Sequence, residues 1–428
     1  MNKYVLCAFL ILFGMSPVQG AEPLVLDKLL LRARDHNPEV LAARQAWKVK
    51  LTGIRPAGTW PDPTFTYSDE RVPSGMAGVD PEKMKNYRIE QMVPFPGKLS
   101  YEARMKYHEA RIAETAYRDK TIDVLNGVRM RYYQLYLTDE KIALARQAMD
   151  VMKAALKSAQ ARLGSNQTTA SDVFMAQTEL RKLGNALYQE QQQRSLIAIE
   201  LNTLLNQPTD APLGPALPLE LMDLPVSLEE FRQLARRHGP MYRTALHEMD
   251  HSRAMLARNR LQFAPDFGFM YEYDKAPAGP PGREIGVSVT FPLWIQRPWK
   301  QYRGAKEHAL ETEANSRAME NHVFNQVHTE FIEVNTHLTL ARNSLSSLLP
   351  LALSALKITQ QQYAGGKTDF LRLLEAFRTW IAAHNDYQEE VYHYGEHWAL
   401  LGRWVGVDVS LAKRALDQMK WMPEEKHE

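Results

Sequence analysis

Pro265 to Leu293 reads PDFGFMYEYDKAPAGPPGREIGVSVTFPL. Phe267, Phe269, Tyr271 and Tyr273 alternate with Gly268, Met270, Glu272 and Asp274, and after a loop Ile285, Val287, Val289 and Phe291 alternate with Gly286, Ser288 and Thr290. A period of two gives a strand with two unlike faces, one aromatic or β-branched and the other small or polar. The connector KAPAGPPGR carries the proline and glycine expected of a hairpin loop. The expected strands, near 266–274 and 284–292, are long enough to cross a bilayer when tilted. A soluble sheet would alternate in the same way, so the decision rests on a second copy.

That copy runs from Pro61 to Pro94, PDPTFTYSDERVPSGMAGVDPEKMKNYRIEQMVP, with strands expected near 63–72 and 86–94. It lies about 200 residues before the first stretch, and its flanks repeat as well. DHNPEVLAARQAW around Pro38 matches RHGPMYRTALHEM around Pro240, Pro61-Asp62 matches Pro265-Asp266, and VPFPGKLSYEARMKYHEA matches FPLWIQRPWKQYRGAKEHA. A duplicated unit sets the architecture.

Residues 1–20 read as a secretory signal peptide: Lys3, an apolar run from Tyr4 to Met15, and small Gly20 before Ala21. The single cysteine, Cys7, lies in that run, so neither a disulfide nor a thiolate metal site is expected in the mature chain. Mean hydropathy is −0.41 and no apolar run of transmembrane length follows the leader. If the chain spans a membrane, it does so as a barrel. A formal net charge of +2 gives no reason to propose a nucleic-acid partner.

Between Pro96 and Leu163 no proline occurs, and Ile112, Ala116, Ile122, Leu125, Val128, Tyr132, Leu135 and Tyr136 recur at helical spacing. Such a run predicts a helix over 97–163 roughly 100 Å long at about 1.5 Å per residue. A second helix is expected over 172–205 after the break LGSNQTTAS. The second copy repeats this over 298–363 and 369–405, with Pro350 expected to kink its helix or cost one hydrogen bond. The repeats so defined are 21–206 and 227–407, joined by a proline-rich link over 207–226 and followed by a tail over 408–428. Helices this long usually pair as coiled coils, because an isolated one has no core for its apolar face.

Each half is thus helix, strand, strand, long helix, tight turn, helix. With the leader and the proline landmarks, this resembles the TolC-like outer-membrane factor family across essentially the whole mature chain. The resemblance implies a mainly α protein with a membrane β-barrel: a homotrimer in which each protomer gives four strands to a twelve-stranded barrel and its long helices to a periplasmic tunnel. It also implies an outer-membrane location and a passive channel without catalysis or cofactor. The partners implied are a periplasmic adaptor, an inner-membrane efflux pump and outer-membrane lipid. VPFPGKL and SVTFPLW look most like the heavy-metal efflux branch, which would make metal cations the cargo. The family's lipidated members carry a cysteine at the mature N-terminus; this chain does not match that. The barrel faces are expected to place Phe267, Phe269, Tyr271, Tyr273, Ile285, Val287, Val289 and Phe291 toward lipid. Val72–Lys85 and Lys275–Arg283 are the expected cell-surface loops.

The two turns are Leu163-Gly164-Ser165, preceded by Arg162, and Gly365-Gly366-Lys367 after Tyr363. Glycine is expected there because positive φ is cheap only for it. By resemblance these turns form the tunnel tip where the adaptor docks. Also by resemblance, Asp172 and Tyr363 match a pair linking the two hairpins of one protomer, while Asp172 is equally placed to cap its helix. Glu375 matches one position of the family's acidic aperture ring, but Arg372, one turn earlier, departs from it. A mixed ring attracts cations less than a doubly acidic one.

His247-Glu248-Met249-Asp250-His251 fits H-E-x-x-H, in which two histidines one turn apart hold zinc and the glutamate polarises water. It supports a competing reading, a secreted or periplasmic zinc hydrolase. Against it, no third ligand appears at Gly-x-x-His spacing, and the matching stretch Leu41 to Gln45 of the first copy has none of these residues. A structural coiled-coil protein is a third reading. His393 and His397, four apart, read as interhelical polar residues before metal ligands. Met130, Met149, Met152 and Met175 read as packing.

Overall fold

A computed structural model describes residues 23–71, 83–165, 167–275 and 280–419; the expected signal peptide, most of the first expected cell-surface loop (72–82) and part of the second (276–279) lie outside them. The first repeat runs α1 (Leu26–His36), α2 (Pro38–Thr52), α3 (Ile54–Ala57), β1 (Thr64–Arg71), β2 (Lys83–Val93), α4 (Lys98–Gly164) and α5 (Ala170–Leu204). The second runs α6 (Leu228–His238), α7 (Pro240–Arg260), β3 (Asp266–Lys275), β4 (Gly282–Thr290), α8 (Gln296–Asn343), α9 (Leu349–Ala364) and α10 (Phe370–Val405).

The four strands form one antiparallel sheet in the order β1-β2-β3-β4, so the pairing of β2 with β3 joins the repeats. Register sorts the faces. Phe65, Ile89, Tyr271 and Ile285 stand in one row across the sheet, and all four are exposed, Ile285 by 82%. The next row, Thr66, Arg88, Glu272 and Glu284, points the other way. There Glu272 is buried and accepts hydrogen bonds from Arg88 Nε at 2.7 Å and from Asn86. Small residues on this face have a steric reason: a Cβ on Gly268 would meet Ser288 Oγ, and one on Gly286 would lie 2.9 Å from Met270 Cε.

Where strand gives way to long helix, Gly97 holds φ +99° and a Cβ there would lie 2.9 Å from Leu261 Cδ1. Lys98 then reaches Asp266 of the other repeat at 2.8 Å, and Phe95 N donates to the same carboxylate oxygen at 2.7 Å. The Pro-Asp and Pro-Gly-Lys landmarks of the two repeats therefore meet in one knot at the base of the sheet.

The other duplicated landmark, X-Pro, starts α2 and α7. Asn37 caps α2 by accepting from Glu39 N and Val40 N, and donates to Leu204 O at the end of α5. In the second copy Gly239 takes that place, since a Cβ would lie 2.5 Å from Ala235 O and 3.0 Å from Trp404 O near the end of α10. Each short helix pair is thus moored to the end of its own repeat's last helix.

The helix expected over 298–363 is interrupted. A single π-helical turn, Ser344–Leu348, precedes α9, with Pro350 in the first turn of α9. Proline lacks the N–H its fourth predecessor's carbonyl needs, and a wider turn just upstream absorbs that loss. The proline-rich link is pinned by one tyrosine from each repeat. Tyr132 Oη accepts from Leu217 N at 2.8 Å, and Tyr394 Oη donates to Met222 O at 2.9 Å. Past α10 the tail is also structured: the 3₁₀ turn Val409–Leu411 and α11 (Ala412–Met419) bury Val409, Ala412 and Leu416 against α6 and α8 residues. Among the described residues, no helix is long and apolar enough to cross a membrane.

Candidate functional site

The end of the molecule far from the sheet is built from two helix reversals, α4 to α5 and α9 to α10. The second follows expectation. Gly366 holds φ +73°, Gly366 N donates to Tyr363 O at 3.1 Å and Lys367 N to Gln362 O at 2.8 Å, the paired bonds that close a helix through a left-handed residue. The first does not. Gly164 is the last residue of α4 without positive φ, and a Cβ there would meet nothing within 4 Å. That reversal is closed instead by Ser165 N and Gln167 N, both donating to Arg162 O, at 3.2 and 2.9 Å.

Below the turns lies a solid apolar core. Tyr363, Phe370, Leu373, Phe377 and Trp380 of α9 and α10 pack with Met152, Ala159, Val173 and Ala176 of α4 and α5. Met152 is 1% exposed, in keeping with methionine as packing. Tyr363 and Phe370 meet edge to face at 5.8 Å.

The linking residues are arranged differently from the expected direct pair. Asp172, in the first turn of α5, accepts from Thr168 Oγ1, while Thr169 is the capping residue. Tyr363 is 1% exposed, and its hydroxyl has no hydrogen-bond partner of ordinary length among the described residues. Thr168, whose hydroxyl donates to Asp172, lies close enough to the phenol to accept a long hydrogen bond from it. Burial pushes the Tyr363 phenol above its usual value, so it stays neutral. The bridge between the reversals is Arg162, which sequence reasoning named only as part of a turn. Its Nη1 donates to Tyr363 O at 2.7 Å, its Nη2 to Gln167 O at 3.1 Å, and its guanidinium carbon lies 4.7 Å from the Tyr363 ring centroid. The available signal was small: the corresponding place in the second turn holds Gln362, an uncharged residue.

On α10, Asp369 caps the helix by accepting from Arg372 N at 2.8 Å. The Arg372 and Glu375 side chains are both exposed, one turn apart, on the side away from Leu373, Leu374 and Phe377. The neighbouring Arg378 instead pairs across to Glu179 of α5 at 2.8 Å.

H-E-x-x-H does not form a two-histidine site. On α7, His247 is buried beside His108 of α4, with ring centroids 6.0 Å apart, whereas His251 Nε2 lies 3.8 Å from Glu109.

Residues 29–207 match the family model described as outer membrane efflux protein. The proteases secretion protein PrtF of Dickeya chrysanthemi is 22% identical over 335 residues, covering 70% of this chain and 68% of that one. Among solved structures, the outer-membrane channel OprN superposes with a TM-score of 0.79 at 16% identity over 89% of each chain. VceC, an outer membrane protein of Vibrio cholerae, gives 0.77 at 16% identity, covering 90% of this chain and 96% of its own. CusC gives 0.79 at 15% identity, covering 92% and 96%. Likenesses at these identities establish the fold. They leave the hydrolase reading without support.

Proposed function

We propose that this chain, whose residues 29–207 match the outer membrane efflux protein family model, is a channel of that family and works as a homotrimeric passive duct, conducting cargo delivered by a periplasmic adaptor and an inner-membrane pump. The observation that carries this is the sheet. Among the described residues, its four strands leave the outer edges of β1 and β4 unpaired, with a continuous apolar row on one face and a polar row on the other. Lipid tolerates no open edge, so the sheet must close, and three copies joined β4 to β1 make a twelve-stranded barrel. The apolar row then faces lipid and the row of Thr66, Arg88, Glu272 and Glu284 faces the lumen.

The long helices continue the barrel into the periplasm, and the two reversals form its tip. Leu163, Gly164, Ser165, Gly365, Gly366 and Lys367 present the adaptor-docking turns. Arg372 and Glu375 line the aperture, and Asp172 and Tyr363 lie at the contact between hairpins. VPFPGKL and SVTFPLW favour metal cations as cargo. The PrtF relative favours a second reading, export of a protein such as a protease. Outer membranes from cells producing the protein should yield a detergent-solubilised trimer that collapses to monomer only on heating. A monomer recovered from the soluble periplasm would overturn the duct. Deletion strains challenged with metal salts, and assayed separately for secreted protease, separate the two cargoes.

A further inference from the structure

In the last third of α8, where the second half of α10 packs against it, three histidines and four glutamates meet. His337 Nδ1 lies 2.6 Å from Glu390 Oε2, and His397 Nδ1 lies 2.7 Å from Glu330 Oε2. Glu330 is 7% exposed, so its bond to the imidazole is sheltered. A carboxylate on Nδ1 fixes that nitrogen as the proton donor and leaves the Nε2 lone pair free. The His337 and His397 rings are parallel within 4° with centroids 5.2 Å apart, and Glu333 reaches to 3.7 Å from His337 Nε2. One ligand atom from each of Glu333, His337 and His397 lies within 4.8 Å of the others. Metal bonds of about 2.0 to 2.2 Å require a somewhat closer set, and side-chain rotation supplies the difference.

We propose that Glu333, His337 and His397 bind a divalent transition-metal ion of borderline softness, with Zn(II) the best match, and that Glu330 and Glu390 orient the two imidazoles from behind. Two imidazoles and one carboxylate are a donor set suited to zinc, with a position left for water. Carboxylates behind ligating histidines fix tautomer and ring orientation. Electrostatics favour the site: among the described residues, Glu330, Glu333, Glu390 and Glu396 have only histidines as ion-pair partners. A second cluster, His108, His247 and Asp250, also brings ligand atoms together. There the charges of Arg104 and Arg111 bear on His108 and Arg253 lies 3.8 Å from Asp250, which disfavours a dication. The proposed ion would clamp α8 to α10 as part of the helical wall, and this stands independently of what the duct carries.

The test uses full-length protein in detergent, stripped with chelator and titrated with Co(II), then Zn(II). One Co(II) per chain should bind with the intense visible bands of four- or five-coordinate geometry and be displaced by Zn(II). His337→Gln and His397→Gln should each weaken binding at least tenfold, and Glu330→Gln by about 10- to 100-fold. His393→Gln and His247→Gln should leave it unchanged. Should a histidine variant fail to assemble, Glu333→Gln, on a side chain 40% exposed, gives the same readout with less risk to folding. No saturable Co(II) uptake, or uptake equal in wild type and Glu333→Gln, overturns the site.

Discussion

Arg162 Nη1 donates to the carbonyl oxygen of Tyr363 across 2.7 Å, joining two reversals 201 residues apart in sequence. The proposed duct would be shut at rest by contacts a pump can break, and this one has suitable strength. A hydrogen bond from a charged donor contributes about 1.5 to 3 kcal/mol, and less where water competes, as at this half-buried arginine. In the proposed trimer, three copies would hold the tip while each stays breakable.

Arg162→Ala should therefore loosen the tip more than changes at the residues picked from sequence. Tyr363→Phe removes a hydroxyl without a hydrogen bond of ordinary length, so it should leave channel conductance unchanged or stabilise the hairpin. Asp172→Ala should act mainly through the first turn of α5, where the helix dipole favours an acid by about 0.3 to 1 kcal/mol. Single-channel recording in planar bilayers ranks the three. Wild-type conductance in Arg162→Ala trimers would move the gate to Arg372 and Glu375.

The two glycine turns should respond oppositely. Gly366→Ala places a Cβ at φ +73° and should destabilise by roughly 1 kcal/mol. Gly164→Ala, in ordinary helical conformation with open space around it, should stabilise by about 0.5 to 1 kcal/mol. Thermal unfolding of the trimer reads both. A stabilising Gly366→Ala would mean the second turn is not left-handed in the assembled protein.

On the sheet proposed to close into the barrel, Val287 is 65% exposed on the apolar face, and Ser288 lies on the opposite face. Val287→Arg should cost about 2 to 4 kcal/mol at bilayer mid-depth and deplete assembled trimer, while Ser288→Arg should be tolerated. Equal assembly of the two variants would reverse or abolish the face assignment.

Acid should weaken the helical wall. Burial holds the imidazoles of His238, His251 and His384 below their usual value; neighbouring Arg237, Arg118 and Arg243 add to this for His238, and Glu109 opposes it for His251. Below about pH 6.5 the unfolded chain binds protons that the folded one refuses, so stability is lost as pH falls from there toward the depressed folded values. For His384 burial is the whole cause, so His384→Gln should flatten this dependence between pH 7 and 5. An unchanged slope would locate the acid sensitivity elsewhere.

The strands were legible because period 2 survives in a short window, and duplication made the reading firm. The long helices were legible from the absence of proline. What could not be read was anything joining distant residues. Lys98 and Asp266 both lie in noticed landmarks, yet nothing local announces that they meet across 168 positions. Gly164 misled because a glycine near a helix end usually signals a left-handed cap, whereas here the helix simply contains it. Pro350 announced a disturbance but not that a π turn upstream would absorb it. His397 was visible on its helix, but its place in the proposed site depends on Glu330, Glu333 and His337, whose alignment is set by packing of α8 on α10. The lack of a third ligand rightly counted against H-E-x-x-H, since a pattern within one helix says nothing of what the next helix presents.

Closure of the sheet by three copies is the central claim, and disulfide trapping tests it most directly. The only cysteine, Cys7, falls in the expected leader, so paired cysteines can be introduced against an empty background. Pairs walked along Thr64 to Ser68 on β1 and Ile285 to Val289 on β4 would bond only where Cα atoms come within about 4.4 to 6.8 Å. Oxidation in intact outer membranes should give, for at least one register, a ladder of covalent dimer and trimer that ends at three. No intermolecular bond in any register, or a ladder running past three, would contradict the twelve-stranded barrel.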